Sequence, residues 1–179
     1  MVGPQLVSED GSRQISCQTF PSIRTEIARQ WGSLASSIGM SDRGDAAPTI
    51  AGSVDWISGA CILARRETIA KVGGLDESFF LYFEETDWCR RARRAGLDIH
   101  HLPSVRIVHL GGGCASAAGP RTFNRRFRKS RRRYFRKHHG LMASLVIEGI
   151  HIVRLVAGLT RPLRARVLGA AARPVAGEK

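Results

Sequence analysis

Three carboxylates stand together at positions 84, 85 and 87, just after an aromatic run and at the start of a predicted helix. Like charges this close repel one another, so Glu84, Glu85 and Asp87 form a costly cluster unless a cation, a metal ion or a transferred proton uses it. The cluster is therefore the first candidate for chemistry. The structural alternative is an ordinary helix start, because the helix dipole stabilises acidic residues there and Asp87 is spaced for a surface ion pair with Arg91.

Local signals predict the helices around this cluster. A helix over 84–95 ends at Gly96, a natural C-cap, and a short helix over 67–72 is stopped by Gly73-Gly74. The face of the longer helix that should pack inward consists of Trp88, Ala92 and Ala95.

The remaining elements are predicted from periodicity and turn residues. The stretch Ile57 to Leu63 is typical of a buried strand or a helix start, and strands over 97–101 and 105–109 are separated by Pro103. Towards the N-terminus, the pattern indicates a β-hairpin over 3–16 around Asp10-Gly11, then a helix over 23–38 and a loop over 39–53.

The positive charge is concentrated in one segment. The formal net charge is +13, and residues 121–139 contain ten Lys or Arg and no acidic residue. Aromatic residues are interleaved with these cations. Three interpretations remain open: a nucleic-acid contact, a contact with an anionic membrane surface, or a solvated helix folded back on the rest of the protein.

The segment that follows the basic run is apolar but interrupted. Three polar residues, Glu148, His151 and Arg154, argue against a membrane span between Leu141 and Leu159. Their spacing leaves one polar stripe, which indicates an interfacial amphipathic helix or, equally, a packing or dimerisation helix. We expect Pro162 to end it.

The four cysteines do not form a recognisable metal motif. They stand at 17, 61, 89 and 114, without a Cys-x-x-Cys pair, which argues against a zinc ribbon; a scattered site of Cys89, His100, His101 and Cys114 matches no common zinc spacing. The first 20 residues lack a basic start followed by an apolar run, so we expect reduced thiols in the cytoplasm.

A series of short motifs in fixed order resembles a known enzyme family. The series closely resembles the acceptor-side half of inverting family 2 glycosyltransferases with a GT-A fold, most of all the bacterial rhamnosyltransferase-type members. The resemblance covers about residues 3–140. Its parts, in chain order, are Gly3-Pro4-Gln5-Leu6, Asp10-Gly11, Phe20-Pro21-Ser22, the runs 54–66 and 72–80, the acidic cluster, Ala95-Gly96-Leu97, Leu102-Pro103, Val108-His109 and the basic run 129–140.

The resemblance implies roles for individual residues. The family usually has Glu-Asp at the opening of this helix, and the carboxylate there is the catalytic base. Glu85 replaces that Asp and is the implied base, with Glu84 and Asp87 orienting it or holding the acceptor. His109 corresponds to a residue that helps bind a divalent ion, Mn²⁺ or Mg²⁺, beside the donor diphosphate. The implied substrate-binding residues are Asp55, Trp56, Gly59, Ala60 and Arg65.

The family's N-terminal nucleotide-binding half has no counterpart here, since no Asp-x-Asp motif or early Gly-rich turn is present. The expected fold class is α/β: a partial GT-A, Rossmann-like fold lacking that half, plus C-terminal helices. Such a half-sheet would expose hydrophobic strand edges. The expected parts are an acceptor-side part of the catalytic domain over 1–120, a basic helical segment over 121–140, an amphipathic helical tail over 141–169 and a disordered tail over 170–179.

The expected function is therefore that of a glycosyltransferase, or a fragment of one. It would transfer a sugar, by resemblance rhamnose from a deoxythymidine-diphosphate donor, to a cell-envelope glycan or glycolipid with inversion. The expected partners are the nucleotide-sugar donor, the acceptor and an anionic membrane surface, at the inner face of the cell membrane. Two alternatives stay open: a non-catalytic remnant that binds membrane or a partner, and an Arg-rich nucleic-acid-binding protein.

Overall fold

The computed structural model describes residues 1–30, 50–110 and 120–171. These residues form a mixed α/β structure with a small parallel sheet. The strands are β1 (Val2–Val7), β2 (Cys17–Gln18), β3 (Gly52–Ser53), β4 (Trp56–Ile57) and β5 (His100–Val108). The helices are α1 (Ile23–Gln30), α2 (Arg66–Val72), α3 (Glu84–Arg94) and α4 (Pro120–Ala171).

Strand β5 is the centre of the main sheet, which has the order β1-β5-β3. It pairs with β1 in parallel and with β3 in antiparallel orientation. The prediction of two strands separated by Pro103 is wrong, because β5 is continuous. The register with β1 shifts after Pro4, which pairs with Leu102, to Gln5, which pairs with Arg106. Pro103 therefore lies in a bulge, where a residue without an N–H donor is tolerated.

One side of β5 is largely open. Its antiparallel partner reaches only His100 and His101, and the rest of that side has no strand partner within the described ranges. Val105, Ile107 and Val108 near its end are 49%, 38% and 57% exposed. The expected exposure of hydrophobic residues at the sheet edge is thus present in the structure.

The chain reverses around Asp10-Gly11, as predicted, but without two full strands. The Ser8 N–H donates to the Ser12 carbonyl at 2.8 Å, and an isolated bridge joins Val7 to Arg13. The buried stretch expected from Ile57 to Leu63 is also shorter. Ile57 is fully buried in β4, which pairs with β2, but Leu63 is 70% exposed because a turn follows Ile57.

The two predicted helices are confirmed: α2, which precedes the acidic cluster, and α3, which carries it. Helix α2 ends at Gly73, whose N–H donates to the Ile69 carbonyl at 2.8 Å. In α3, Trp88 and Ala92 are buried as expected, whereas Ala95 lies just beyond the helix and is half-buried. The indole N–H of Trp88 donates to the Gly73 carbonyl at 2.8 Å and so joins the two helices.

The predicted helix over 23–38 is observed as α1 up to Gln30, and its remainder lies outside the described residues. The same applies to most of the predicted loop over 39–53, of which Gly52 and Ser53 form β3. Cys114 and residues 172–179 are also outside the described part of the chain.

Helix α4 consists of two segments that meet at Gly140, where φ is 88° and ψ is 173°. A positive φ is accessible to glycine without steric cost, so the chain turns there. The prediction that Pro162 ends the helix is wrong, because α4 continues to Ala171 and includes two residues of the expected disordered tail. Proline removes one N–H donor, but its φ is compatible with a helix. No helix among the described residues is long and apolar enough to cross a membrane.

The two segments of α4 lie antiparallel. Arg128 of the first segment forms an ion pair with Glu148 of the second at 3.0 Å, and the Ser144 hydroxyl donates to the Arg132 carbonyl at 3.2 Å. In both pairs, the two residues lie equally far before and after the same sequence position, as expected for two antiparallel helical segments. We call this arrangement the α4 hairpin.

Two hydrophobic clusters hold α3 in place. One contains Cys17, Ile57, Cys89 and Ile99 and joins α3 to the strands. The other joins the residues preceding α3 to the α4 hairpin, and its buried members are Phe79, Phe83, Tyr134, Phe135, Ala143, Ile147 and Ile150. The start of α3, which carries the carboxylates, is thus fixed from both sides.

Candidate active site

The start of α3 is held by an unusual backbone. Tyr82 and Phe83 both have left-handed φ values, 68° and 69°. Such a conformation costs about 1–3 kcal/mol per non-glycine residue and persists only when surrounding contacts enforce it. Here α4 supplies those contacts. The distance between ring centroids is 5.4 Å for Phe83 and Tyr134 and 5.7 Å for Tyr82 and Phe127. The aromatic run before the carboxylates was the sequence signal for this turn.

Glu85 lies in an environment that favours its protonated form. Burial, reinforced by the neighbouring charge of Glu84, raises the pKa of its carboxyl from 4.5 to about 7. Its Oε2 is buried and has no hydrogen-bond partner among the described residues. Burial also raises the pKa of Glu84, whose Oε2 likewise has no partner in that part of the chain. A carboxyl with a pKa near neutral pH is suited to accept and release a proton.

Gly59 brings the β4–α2 connection against Glu85. A Cβ added at Gly59 would lie 3.4 Å from the Glu85 Cβ and 3.7 Å from its carboxyl carbon. Gly59 and Ala60 are exposed, whereas Glu85 is half-buried behind them. The exposed turn at Gly59 therefore lies directly against the Glu85 side chain.

Asp87 has a different environment, although it is only two residues away. Its side chain is fully buried and lies 2.8 Å from the Arg91 Nε, 2.8 Å from the Lys137 Nζ and 2.7 Å from the His138 Nε2. Burial opposes ionisation of Asp87, but the hydrogen bonds from His138, Lys137 and Arg91 outweigh it and lower the pKa to about 2. The expected pair with Arg91 exists, but it is buried at Asp87 and not a surface pair. Lys137 and His138 were seen in the sequence only as part of the basic run.

The three carboxyl groups of the cluster therefore lie in two different environments. Glu84 and Glu85 are raised-pKa carboxyls beside the exposed Gly59–Ala60 turn. Asp87 stays ionised and connects α3 to the α4 hairpin. The expected role of Asp87 in orienting the base or holding the acceptor stays a prediction. In the structure its carboxylate oxygens already contact Arg91, Lys137 and His138.

The other expected substrate-binding residues are only partly brought together. Asp55 accepts a hydrogen bond from the Phe20 N–H at 2.8 Å, and the Trp56 indole donates to the Thr19 carbonyl at 3.0 Å. Both side chains therefore attach the 19–20 segment to β4. Arg65 is exposed and precedes α2, whose Thr68 N–H donates to the Arg65 carbonyl at 3.0 Å. Of the five residues, Gly59 and its neighbour Ala60 lie in the turn against Glu85.

His109 follows β5 and is held by polar contacts. Its N–H donates to the Val7 carbonyl at 2.9 Å, and its Nδ1 lies 2.9 Å from the Gln14 Oε1. Within the described ranges, no group of three or more His, Cys, Asp or Glu could hold a metal ion. His109 would supply one nitrogen ligand, and the described residues do not complete a site around it. The expected divalent cation stays a prediction, and no chemical step is assigned to it.

The raised pKa of Glu85 has a consequence for stability. A carboxyl that binds its proton more tightly in the folded state stabilises that state below pH 4.5, and the contribution is lost as pH rises to about 7. Glu85→Gln removes this dependence. We expect the stability of the variant relative to the native protein to increase by about 3 kcal/mol between about pH 5 and pH 8, as measured by urea unfolding. Parallel pH profiles for the two proteins would contradict the assignment, and Glu77→Gln, an exposed change nearby, is the control.

Comparison with characterised proteins finds relatives over part of the chain. Over 56 residues it is 41% identical to an N-acetylglucosaminyl-diphospho-decaprenol L-rhamnosyltransferase of Mycobacterium tuberculosis, an alignment covering 31% of this chain and 18% of that protein. It is 36% identical over 56 residues to rhamnosyltransferase WbbL of Escherichia coli, covering 31% and 21%. It is 38% identical over 56 residues to the low-salt glycan biosynthesis hexosyltransferase Agl10 of Haloferax volcanii, covering 31% and 18%.

These relatives support a glycosyltransferase role. No family model and no solved structure matches the chain. The similarity spans about a third of this chain and about a fifth of the relatives it matches, so their whole activities do not transfer directly.

Proposed function

We propose that this chain forms the acceptor-side part of a family 2 glycosyltransferase with a GT-A fold, and that Glu85 is its general base. The main support is the Glu85 carboxyl, with a pKa of about 7, next to the exposed Gly59–Ala60 turn. The rhamnosyl- and hexosyltransferase relatives support the same reaction class. A base with a pKa near the working pH combines a useful ionised fraction with a useful affinity for the proton.

In the proposed reaction, an acceptor hydroxyl attacks the anomeric carbon of the donor sugar. Glu85 takes the hydroxyl proton as the new carbon–oxygen bond forms. The bond from the anomeric carbon to the nucleotide diphosphate breaks on the opposite face, and the diphosphate takes the bonding electron pair. One displacement of this kind inverts the anomeric configuration.

The arrangement of carboxyls favours transfer over glycoside hydrolysis. A glycosidase needs two carboxyls on either side of the scissile bond, about 5–10 Å apart. Here Glu84 and Glu85 are consecutive on one helical turn, and the charge of Glu84 raises the pKa of Glu85. Asp87 is hydrogen-bonded to Arg91 of α3 and contacts Lys137 and His138 of the α4 hairpin. This arrangement supports the proposal of Glu85 as a single base, with Glu84 raising its pKa.

The acceptor we propose is a sugar linked through diphosphate to a polyprenol, and the donor is a deoxythymidine-diphosphate rhamnose. The name of the Mycobacterium tuberculosis relative specifies rhamnosyl transfer to such a lipid-linked acceptor. Another relative, from Shigella flexneri, is a dTDP-rhamnosyl transferase. A lipid-linked acceptor would place the reaction at the cytoplasmic face of the cell membrane.

The test measures rhamnosyl transfer. The protein is incubated with dTDP-rhamnose and polyprenyl-diphosphate-linked N-acetylglucosamine, both alone and with the whole chain, including the α4 hairpin, grafted in place of the matching part of the Escherichia coli relative. We expect the graft to form the disaccharide lipid, with the anomeric configuration of the donor inverted by nuclear magnetic resonance. A graft that folds and binds dTDP-rhamnose but transfers no sugar would contradict the proposal.

A further inference from the structure

The first segment of α4 presents a cationic stripe to solvent. The exposed residues of this stripe follow a helical spacing of three and four. They are Arg125, Lys129, Arg132, Arg133 and Arg136. We call them the cationic stripe.

The inward cations of this segment form ion pairs, whereas among the described residues the only partners of the stripe are those of Arg133, which donates to the Ser78 carbonyl at 3.1 Å and lies over the Phe79 ring. Arg131 pairs with Glu26 at 3.1 Å, and Lys137 with Asp76 at 2.6 Å and with Asp87. Within residues 1–30, 50–110 and 120–171, the cationic stripe forms no ion pair. Uncompensated cations at this density repel one another, so an anionic partner would relieve them.

A cavity of about 540 Å³ lies along the stripe. It is lined by five Lys or Arg side chains together with Ser78 and Asp76. Asp76 is already paired with Lys137, whose ammonium holds the pKa of the Asp76 carboxyl well below its usual range. The cavity therefore keeps a strong positive charge and has room for phosphate groups.

The second segment of α4 presents an apolar stripe instead. Seven large hydrophobic side chains lie on one face of the helix, at spacings of three, four and seven residues, and are 43–72% exposed. They are Leu141, Met142, Leu145, Val146, Ile152, Val153 and Val156. We call them the apolar stripe. A continuous exposed apolar surface of this kind marks an interaction site.

Both segments of the α4 hairpin pack on one hydrophobic cluster, which also contains Phe79 and Phe83 from outside the hairpin. The inner face of the first segment contributes Tyr134 and Phe135, and that of the second contributes Ala143, Ile147 and Ile150. Because the segments lie side by side and share this core, their outer faces both point away from it. The α4 hairpin thus exposes a row of cations beside a row of hydrophobic side chains.

We propose that this face of the α4 hairpin docks on an anionic lipid bilayer. The cationic stripe would contact headgroup phosphates, and the apolar stripe would enter the interface beside them. Nucleic acid would neutralise the cations but leave the apolar stripe in water. A second copy docked through this face would bring two cationic stripes into one interface. The inference does not depend on Glu85 or on glycosyl transfer.

Flotation of the whole chain with lipid vesicles tests the proposal. We expect tight partition onto vesicles of phosphatidylcholine mixed with phosphatidylglycerol and much weaker partition onto phosphatidylcholine alone. Arg132→Gln with Arg136→Gln should weaken binding to the anionic vesicles about 30-fold, since each cation near such a surface contributes a factor of about five. The matched control is Arg66→Gln with Lys71→Gln, the same charge change on exposed positions of α2, which should alter binding little.

A second variant tests the apolar stripe separately. Leu145→Gln should weaken vesicle binding about tenfold, whereas Ile69→Gln, an exposed hydrophobic change on α2, should not. Equal binding to both vesicle types would overturn the proposal. So would binding of random DNA that is as tight and is insensitive to Leu145→Gln, or a lipid-free dimer that Leu145→Gln dissociates.

Discussion

Glu85→Gln is expected to lower the turnover of glycosyl transfer by about 10²–10⁴, the usual contribution of a general base. Glutamine preserves the size of the side chain but cannot take the proton of the acceptor hydroxyl. The change should leave donor affinity nearly unaltered, because the base acts on the acceptor. The measurement is steady-state transfer in the active graft described above.

The pH profile separates a lost base from a damaged fold. In the native protein, kcat/KM should rise about tenfold per pH unit up to about pH 7, where Glu85 becomes ionised, and then level off. The variant should lose this rise. Glu77→Gln, an exposed substitution in the segment before α3, serves as the control. Wild-type turnover in Glu85→Gln would exclude Glu85 and move the base to Glu84 or Asp87.

Asp87→Asn is expected to destabilise the protein by about 3–5 kcal/mol. The variant removes the buried negative charge that compensates Arg91 and Lys137 and that lies 2.7 Å from the His138 Nε2. Removing one partner of a buried ion pair commonly costs this much. Urea unfolding at neutral pH measures the effect. Because the pKa of Asp87 is lowered to about 2, its stabilising contribution is present above pH 3.8 and is lost as pH falls through about 2.

Asp98→Asn is the matched control for this prediction. Asp98 pairs with Arg93 at 3.1 Å, but its side chain is 73% exposed. An exposed pair of this kind contributes about 1 kcal/mol or less. If Asp87→Asn cost no more than Asp98→Asn, the buried ion-pair cluster would not stabilise the junction between α3 and the α4 hairpin.

The parts of the fold that depend on neighbouring residues were predictable from the sequence. Helices α2 and α3 follow from a helical apolar face and a glycine stop, both of which act within a few residues. Gly96 terminates α3 as expected, with φ of 77°. The carboxylate cluster was recognisable for the same reason, because repulsion between Glu84 and Glu85 is a local effect. The choice of Glu85 as the base came from the family resemblance, and the burial that mainly raises its pKa was not visible in the sequence.

The parts that depend on tertiary contacts were not predictable. Strand β5 passes Pro103 because β1 tolerates a bulge there, and nothing near Pro103 indicates that partner. From the sequence, Asp87 is expected at the surface of α3. In the structure it is buried because Lys137 and His138 of the α4 hairpin pack against it. The left-handed pair Tyr82 and Phe83 is likewise enforced by rings that lie more than 40 residues further along the chain.

Because of that last contact, removing α4 would not leave the rest of the protein intact. The helix supplies Phe127 and Tyr134 against the strained turn, and its Ser130 hydroxyl donates to the Leu81 carbonyl at 2.8 Å. A truncation before residue 120 would release two left-handed residues directly before Glu84 and Glu85. The helix that exposes the apolar stripe thus also holds the turn before the candidate base, so changes to that stripe should be substitutions on its exposed face and not deletions of the helix.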